Sequence, residues 1–106
     1  MLVAYEVSKS LIPKLAPLVA RIERNDRDLA DQLKRAASSV LLNLGEGARS
    51  MKGNKHKHYA IAHGSAGEVK AVIDTAIGWG WIDQPRDALA ALDHLLALLW
   101  GLTHRK

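Results

Sequence analysis

The chain has no cysteine and no phenylalanine. The first absence excludes a disulfide framework, a cysteine-ligated zinc site and a thiol nucleophile, and it is compatible with a cytoplasmic location. No stretch has the alternating, β-branched pattern of a strand. No apolar run is long enough for a membrane span: the best candidate, Leu89 to Leu102, is interrupted by Asp93 and His94. Met1-Leu2-Val3 is followed at once by Tyr5, Glu6 and Lys9, which lacks the basic start and apolar core of a secretory signal. Acids are missing altogether between Gly47 and Gly67, where Arg49, Lys52, Lys55, His56, Lys57, His58 and His63 stand.

What remains is a composition made for helices. Ala and Leu dominate, and both are strong helix formers. At 48% apolar and 25% charged, the sequence reads as globular rather than disordered. Its 106 residues make a single domain, residues 1–106, that four helices of roughly 20 residues would nearly fill. So short a chain has a thin core, which oligomerisation would reinforce.

Hydrophobic periodicity places four helices at about 3–24, 27–47, 55–80 and 84–103. In the first, Val7, Leu11, Leu15, Leu18 and Ile22 form one stripe, while Pro13 and Pro17 predict a bend near Ser10 and Leu11. Asn25 or Asp26 is the expected cap of the second helix, whose apolar face is Leu29, Leu33, Ala36, Ala37, Val40, Leu41 and Leu44. Gly45 and Gly47 are candidates to end it, with Ala48 to Asn54 as the loop and Ser50 or Asn54 as the next cap.

The third helix carries Tyr59, Ala62, Ala66, Val69, Ile73 and Ala76 on its stripe, with small side chains through its first half. Gly78 and Gly80 end it, and Trp79 and Trp81 are expected to close that corner of the core. Asp83 before Gln84-Pro85 reads as the cap of the fourth helix. Its stripe is Leu89, Leu92, Leu96, Leu99 and Leu102. Leu95, Leu98 and Trp100 beside it are more apolar surface than one side of a bundle requires, and are read as an oligomer interface. Short turns make this an all-α, up-and-down antiparallel four-helix bundle. The tail His104-Arg105-Lys106 stands at the favourable pole of the last helix.

Three constellations carry possible chemistry. Gln32, Arg35, Ser39, Asn43 and Glu46 form a polar stripe on the second helix, either solvated or facing a neighbouring helix or subunit. Arg35, Ser39, Asn43, Glu46, Ser65 and Glu68 are expected to satisfy one another in a structural polar network. Glu46 and Glu68 as a catalytic carboxylate pair is the enzymatic alternative. The Lys-His cluster is either a solvated basic turn or a contact for nucleic-acid phosphates, through Arg49, Lys52, Lys55, His56 and Lys57. Metal ligation is poorly served, because His56 and His58 lie about 200° apart on a helix and nothing completes a ligand set. No Glu-x-x-His pair, phosphate loop or nucleophile elbow occurs, and no cofactor is expected.

The run Gln32-Leu33-Lys34-Arg35-Ala36-Ala37-Ser38-Ser39, closing on Asn43-Leu44-Gly45-Glu46-Gly47, resembles the signature of the S23 family. These are four-helix bundle proteins encoded by intervening sequences in bacterial 23S ribosomal RNA genes. Ala62, Gly64, Ser65 and Glu68 match the family's third-helix pattern. The resemblance implies an up-and-down bundle and a homopentamer with a central channel. It also brings in the accessory protein of diversity-generating retroelements, a basic relative that works with a reverse transcriptase and RNA. The Lys55-His56-Lys57-His58 run departs from the family pattern, as do Gly45 and Gly67, so family behaviour is not carried over to them.

Together these features point to a non-enzymatic, homo-oligomeric bundle with a basic surface that binds RNA or DNA backbone within a nucleoprotein complex, without a membrane. A protein-interaction scaffold is the first alternative, and a small-ligand enzyme using Glu46 and Glu68 the second.

Overall fold

A computed structural model describes residues 2–104 as four α-helices: α1 Val3–Glu23, α2 Arg27–Arg49, α3 Lys52–Gly78 and α4 Arg86–Thr103. Each helix packs on its neighbours in chain order, and α1 also packs on α4, which closes an up-and-down bundle of 42 × 23 × 19 Å. No strand occurs among the described residues. Tail residues Arg105 and Lys106 lie outside the described part.

The core follows the predicted stripes in α1, α2 and α3. Leu11, Leu15, Leu18 and Ile22 of α1 share one buried core with Leu33, Ala36, Val40 and Leu44 of α2 and Ala62, Ala66, Val69 and Ile73 of α3. In α4 the buried line is Ala88, Leu92, Leu95 and Leu99, while Leu89, Leu96 and Leu102 are half-buried at its margins. The apolar band is so wide that its middle, not either predicted edge, meets the core. Leu95 is therefore fully inside the protomer and leaves nothing for a second copy, whereas Leu98 is half-buried and Trp100 is 56% exposed.

Pro13 and Pro17 both lie inside α1, which runs through them without a break. They are four residues apart on the exposed side, so the missing amides fall away from the buried stripe that holds the helix in place. Asp26 caps α2, accepting a hydrogen bond from the Leu29 amide at 2.9 Å, and Asp28 complements the same helix end.

The turn between α2 and α3 differs most from the sequence-based reading. Only Ser50 and Met51 are non-helical there. α2 continues through Gly45 and Gly47, neither of which is left-handed, and α3 starts at Lys52 rather than Lys55. Gly47 serves a different purpose: a Cβ there would lie 2.6 Å from Tyr59 Cε1, so the missing side chain admits the Tyr59 ring. That long-range contact keeps helical a segment whose composition suggests a loop. Neither Ser50 nor Asn54 caps α3. Met51 holds the N-cap position without a side-chain bond, and the Ser50 hydroxyl donates back to Glu46 O at 2.6 Å.

At the opposite end, Gly80 has φ 78°, the left-handed value. Trp81 N–H reaches Ala76 O at 3.0 Å and Gly80 N–H reaches Ile77 O at 2.9 Å, the two bonds of a Schellman stop. α4 begins at Arg86, with Pro85 at its N-cap position and no side-chain cap, so Asp83 does not perform that role.

Candidate nucleic-acid interface

The turn Ser50–Met51 brings the end of α2 beside the start of α3, and so gathers cations that the sequence spreads over nine positions. Arg49 closes α2, and Lys52, Lys55 and Lys57 occupy the first turns of α3. Lys52 and Lys57 are exposed and Lys55 is half-buried. Arg49 is exposed too, and its guanidinium donates to Glu46 at 3.0 Å in a surface ion pair. Such pairs contribute at most about 1 kcal/mol, so Arg49 can exchange this partner for another anion.

The α3 N-terminus adds to this charge. It has no side-chain cap and no acid in its first turn, so its leading amides point outward without a side-chain acceptor. Free amides and the positive pole of the helix dipole attract anions. His56 reaches across to α4, where its Nε2–H donates to the Thr103 carbonyl at 2.9 Å. That bond satisfies one open carbonyl of the α4 end and ties it to the basic surface. His104 is stacked on Trp100, ring centroids 4.0 Å apart, and donates to the Trp100 carbonyl at 2.8 Å.

The polar network has a different membership from the predicted set. Ser39 and Ser65 hydroxyls meet at 2.8 Å across α2 and α3. Asn43 donates to Ser39 O at 2.9 Å and to Ser39 Oγ at 3.2 Å. The next member is His58, whose Nδ1–H donates to Asn43 Oδ1 at 2.9 Å, since an amide oxygen can only accept. Arg35, Glu46 and Glu68 are exposed and outside this chain of bonds. Glu46 is held by Arg49 at the surface. Neither Arg35 nor Glu68 has a side-chain partner among the described residues. His58 belongs to the network because the register of α3 on α2 sets it opposite Asn43, which no local spacing reveals.

His56, His58 and His63 do not converge. Among the described residues, no group of three His, Asp or Glu side chains could hold a metal ion. Glu46 and Glu68 form no shared cleft with a buried carboxylate, as both face solvent. No helix among the described residues is long and apolar enough to cross a membrane.

No curated protein and no solved structure matches the chain. The family model described as 23S rRNA-intervening sequence protein matches residues 2–101, nearly the whole chain and all of the bundle just described. The chain thus belongs to the family of 23S rRNA-intervening sequence proteins.

Proposed function

We propose that this protein is a non-enzymatic, cytoplasmic homo-oligomer that binds RNA or DNA backbone through Arg49, Lys52, Lys55, His56 and Lys57. One observation carries the reading: four cations and an uncapped helix N-terminus converge on one end of the bundle, in a stretch without acids. Phosphates are the natural complement of that surface. From Arg49 to Lys57 there is no Phe, Tyr or Trp to stack on a base and no motif that reads base edges, so recognition there is by charge and shape, with little sequence preference.

Copies arranged in a ring, as in the pentamer that the resemblance implies, would repeat the patch and multiply the number of phosphates contacted. The seam between α1 and α4 supports self-association. Leu2, Val3, Ala97, Leu98, Gly101 and Leu102 line an open apolar recess there, with Trp100 exposed alongside. The same seam favours the scaffold alternative, in which a partner protein takes that place. Capture of such a partner, insensitive to nuclease, is its signature. A reverse transcriptase or another nucleoprotein component is the partner class to seek.

The test is titration of labelled RNA and DNA duplexes at rising salt. Micromolar or tighter binding at low salt, weakening as salt increases, is expected. Charge reversal by Lys52→Glu, Lys55→Glu and Lys57→Glu together should abolish it. Absence of binding at low salt would overturn the proposal.

A further inference from the structure

Away from the basic turn, the outward face of α2 holds a recess that has no assigned role. Lys34, Arg35, Ser38, Ser39, Leu42 and Asn43 line it, around a volume of about 370 Å³. Its donors are available. Arg35 and Ser38 make no side-chain hydrogen bond or ion pair among the described residues, and Lys34 has only a loose surface pair with Asp31 at 3.6 Å. The inner wall is firm, because Ser39 and Asn43 are held by the hydrogen bonds to Ser65 and His58. Leu42 stands 68% exposed in the middle, an apolar residue on an otherwise polar helix face.

This recess and the basic turn share one side of α2. Arg35 and Arg49 are fourteen residues apart. At 1.5 Å per residue that is about 21 Å along the axis, and at 100° per residue the two arginines return to within about 40° of each other. About six base-pair steps of a duplex, at about 3.4 Å each, span that distance; at about ten steps per turn they carry one strand around to the far side, so the phosphate facing the second position belongs to the other strand across a groove.

We infer that the α2 recess is a second phosphate-binding site, occupied by the other strand of the duplex that the basic turn holds, with Lys34, Arg35 and Ser38 as donors and Leu42 against the sugar. The inference rests on the proposed function and gives it a direction: the duplex lies along α2, from the α2–α3 turn toward the middle of the helix. Glu46 lies on the same line between the two sites, paired with Arg49. It opposes the duplex there and limits affinity.

The experiment is a salt titration of a 16-base-pair duplex, read by fluorescence anisotropy, with the intact chain and three variants. Replacing Lys34 and Arg35 by Gln should lower the slope of log affinity against log salt by about 1.8, at about 0.9 per lost phosphate contact, and weaken binding several-fold. Glu46→Gln should tighten binding. The Lys52, Lys55, Lys57 reversal should abolish it. All substituted side chains are exposed or half-buried at the surface, and circular dichroism checks that each variant keeps its helices. If the Lys34/Arg35 variant matches the parent in slope and affinity while the basic-turn variant loses binding, the recess is no phosphate site and the proposed function stands. If the parent itself does not bind at low salt, the proposed function falls and the recess site with it.

Discussion

The two ends of this bundle are built from the same kinds of helix termini and gather different balances of charge. At one end the α2–α3 turn is two residues long, its side chains are basic, and the following helix starts without a side-chain cap. At the other, Asp26 caps α2, Gly80 closes α3 with a complete Schellman stop, and Trp79 stacks on Trp81 with ring centroids 5.9 Å apart. Charges there alternate: Glu23, Asp26 and Asp28 are interleaved with Arg24 and Arg27, and Asp83 and Asp87 flank Arg86. Among these eight side chains acids outnumber bases by five to three, and α4 also starts at this end without a side-chain cap. The α2–α3 turn instead joins an uncapped helix start to cations in excess, which is the condition for attracting an external anion.

The largest expected contrast is in binding. Reversing Lys52, Lys55 and Lys57 removes affinity for nucleic acid, while reversing Arg24, Arg27 and Arg86 at the tryptophan end leaves it within a few-fold. Equal losses at both ends, measured by anisotropy at one salt concentration, would erase the distinction between them.

The next contrast concerns glycines. Gly47→Ala drives a methyl group into the Tyr59 ring, and overpacking of this kind costs about 1–3 kcal/mol, more than the helix propensity Ala restores. Gly80→Ala meets no neighbour but retains a left-handed backbone, at a cost of about 1–2 kcal/mol. Denaturant midpoints of the two variants rank these effects. Pairing Gly47→Ala with Tyr59→Leu should recover much of the first loss and none of the second.

Asp26→Ala removes the one side-chain cap at the start of α2 and should lower stability by about 1 kcal/mol. Smallest of all is Trp79→Ala. This ring is 69% exposed, so its loss should move thermal stability by no more than about 0.5 kcal/mol. A large loss would mean that Trp79 is covered by something beyond the protomer.

Much of the fold was readable from local pattern. Stripes such as Leu11-Leu15-Leu18-Ile22 and Ala62-Ala66-Val69-Ile73 are buried where their spacing requires, because a helix with a greasy face has one low-energy way to meet water. The site was legible as a list of cations but not as a shape. Gly45 and Gly47 are poor helix residues and read as candidate ends of the helix, with Gly53 and Asn54 in the loop after it; packing of Tyr59 on Gly47 outweighs propensity, and both helices extend into that segment. His58 was read with its basic neighbours, although its hydrogen bond goes to Asn43, fifteen positions away. Leu95 was assigned to an interface because the leucine band of α4 has no clear centre until three other helices define one.

Sequence alone determined that there are four helices, which faces the first three bury, where α2 is capped and where α3 stops. These depend on side chains a few positions apart, so local spacing specifies them. Tertiary structure decided the register of α3 on α2, and with it the two-residue turn, the Ser65–Ser39–Asn43–His58 chain and the gathering of Arg49, Lys52, Lys55 and Lys57 at one end. Those depend on how one helix slides along another, and that is set by long-range fits such as the Tyr59 ring against Gly47, which no window along the chain contains.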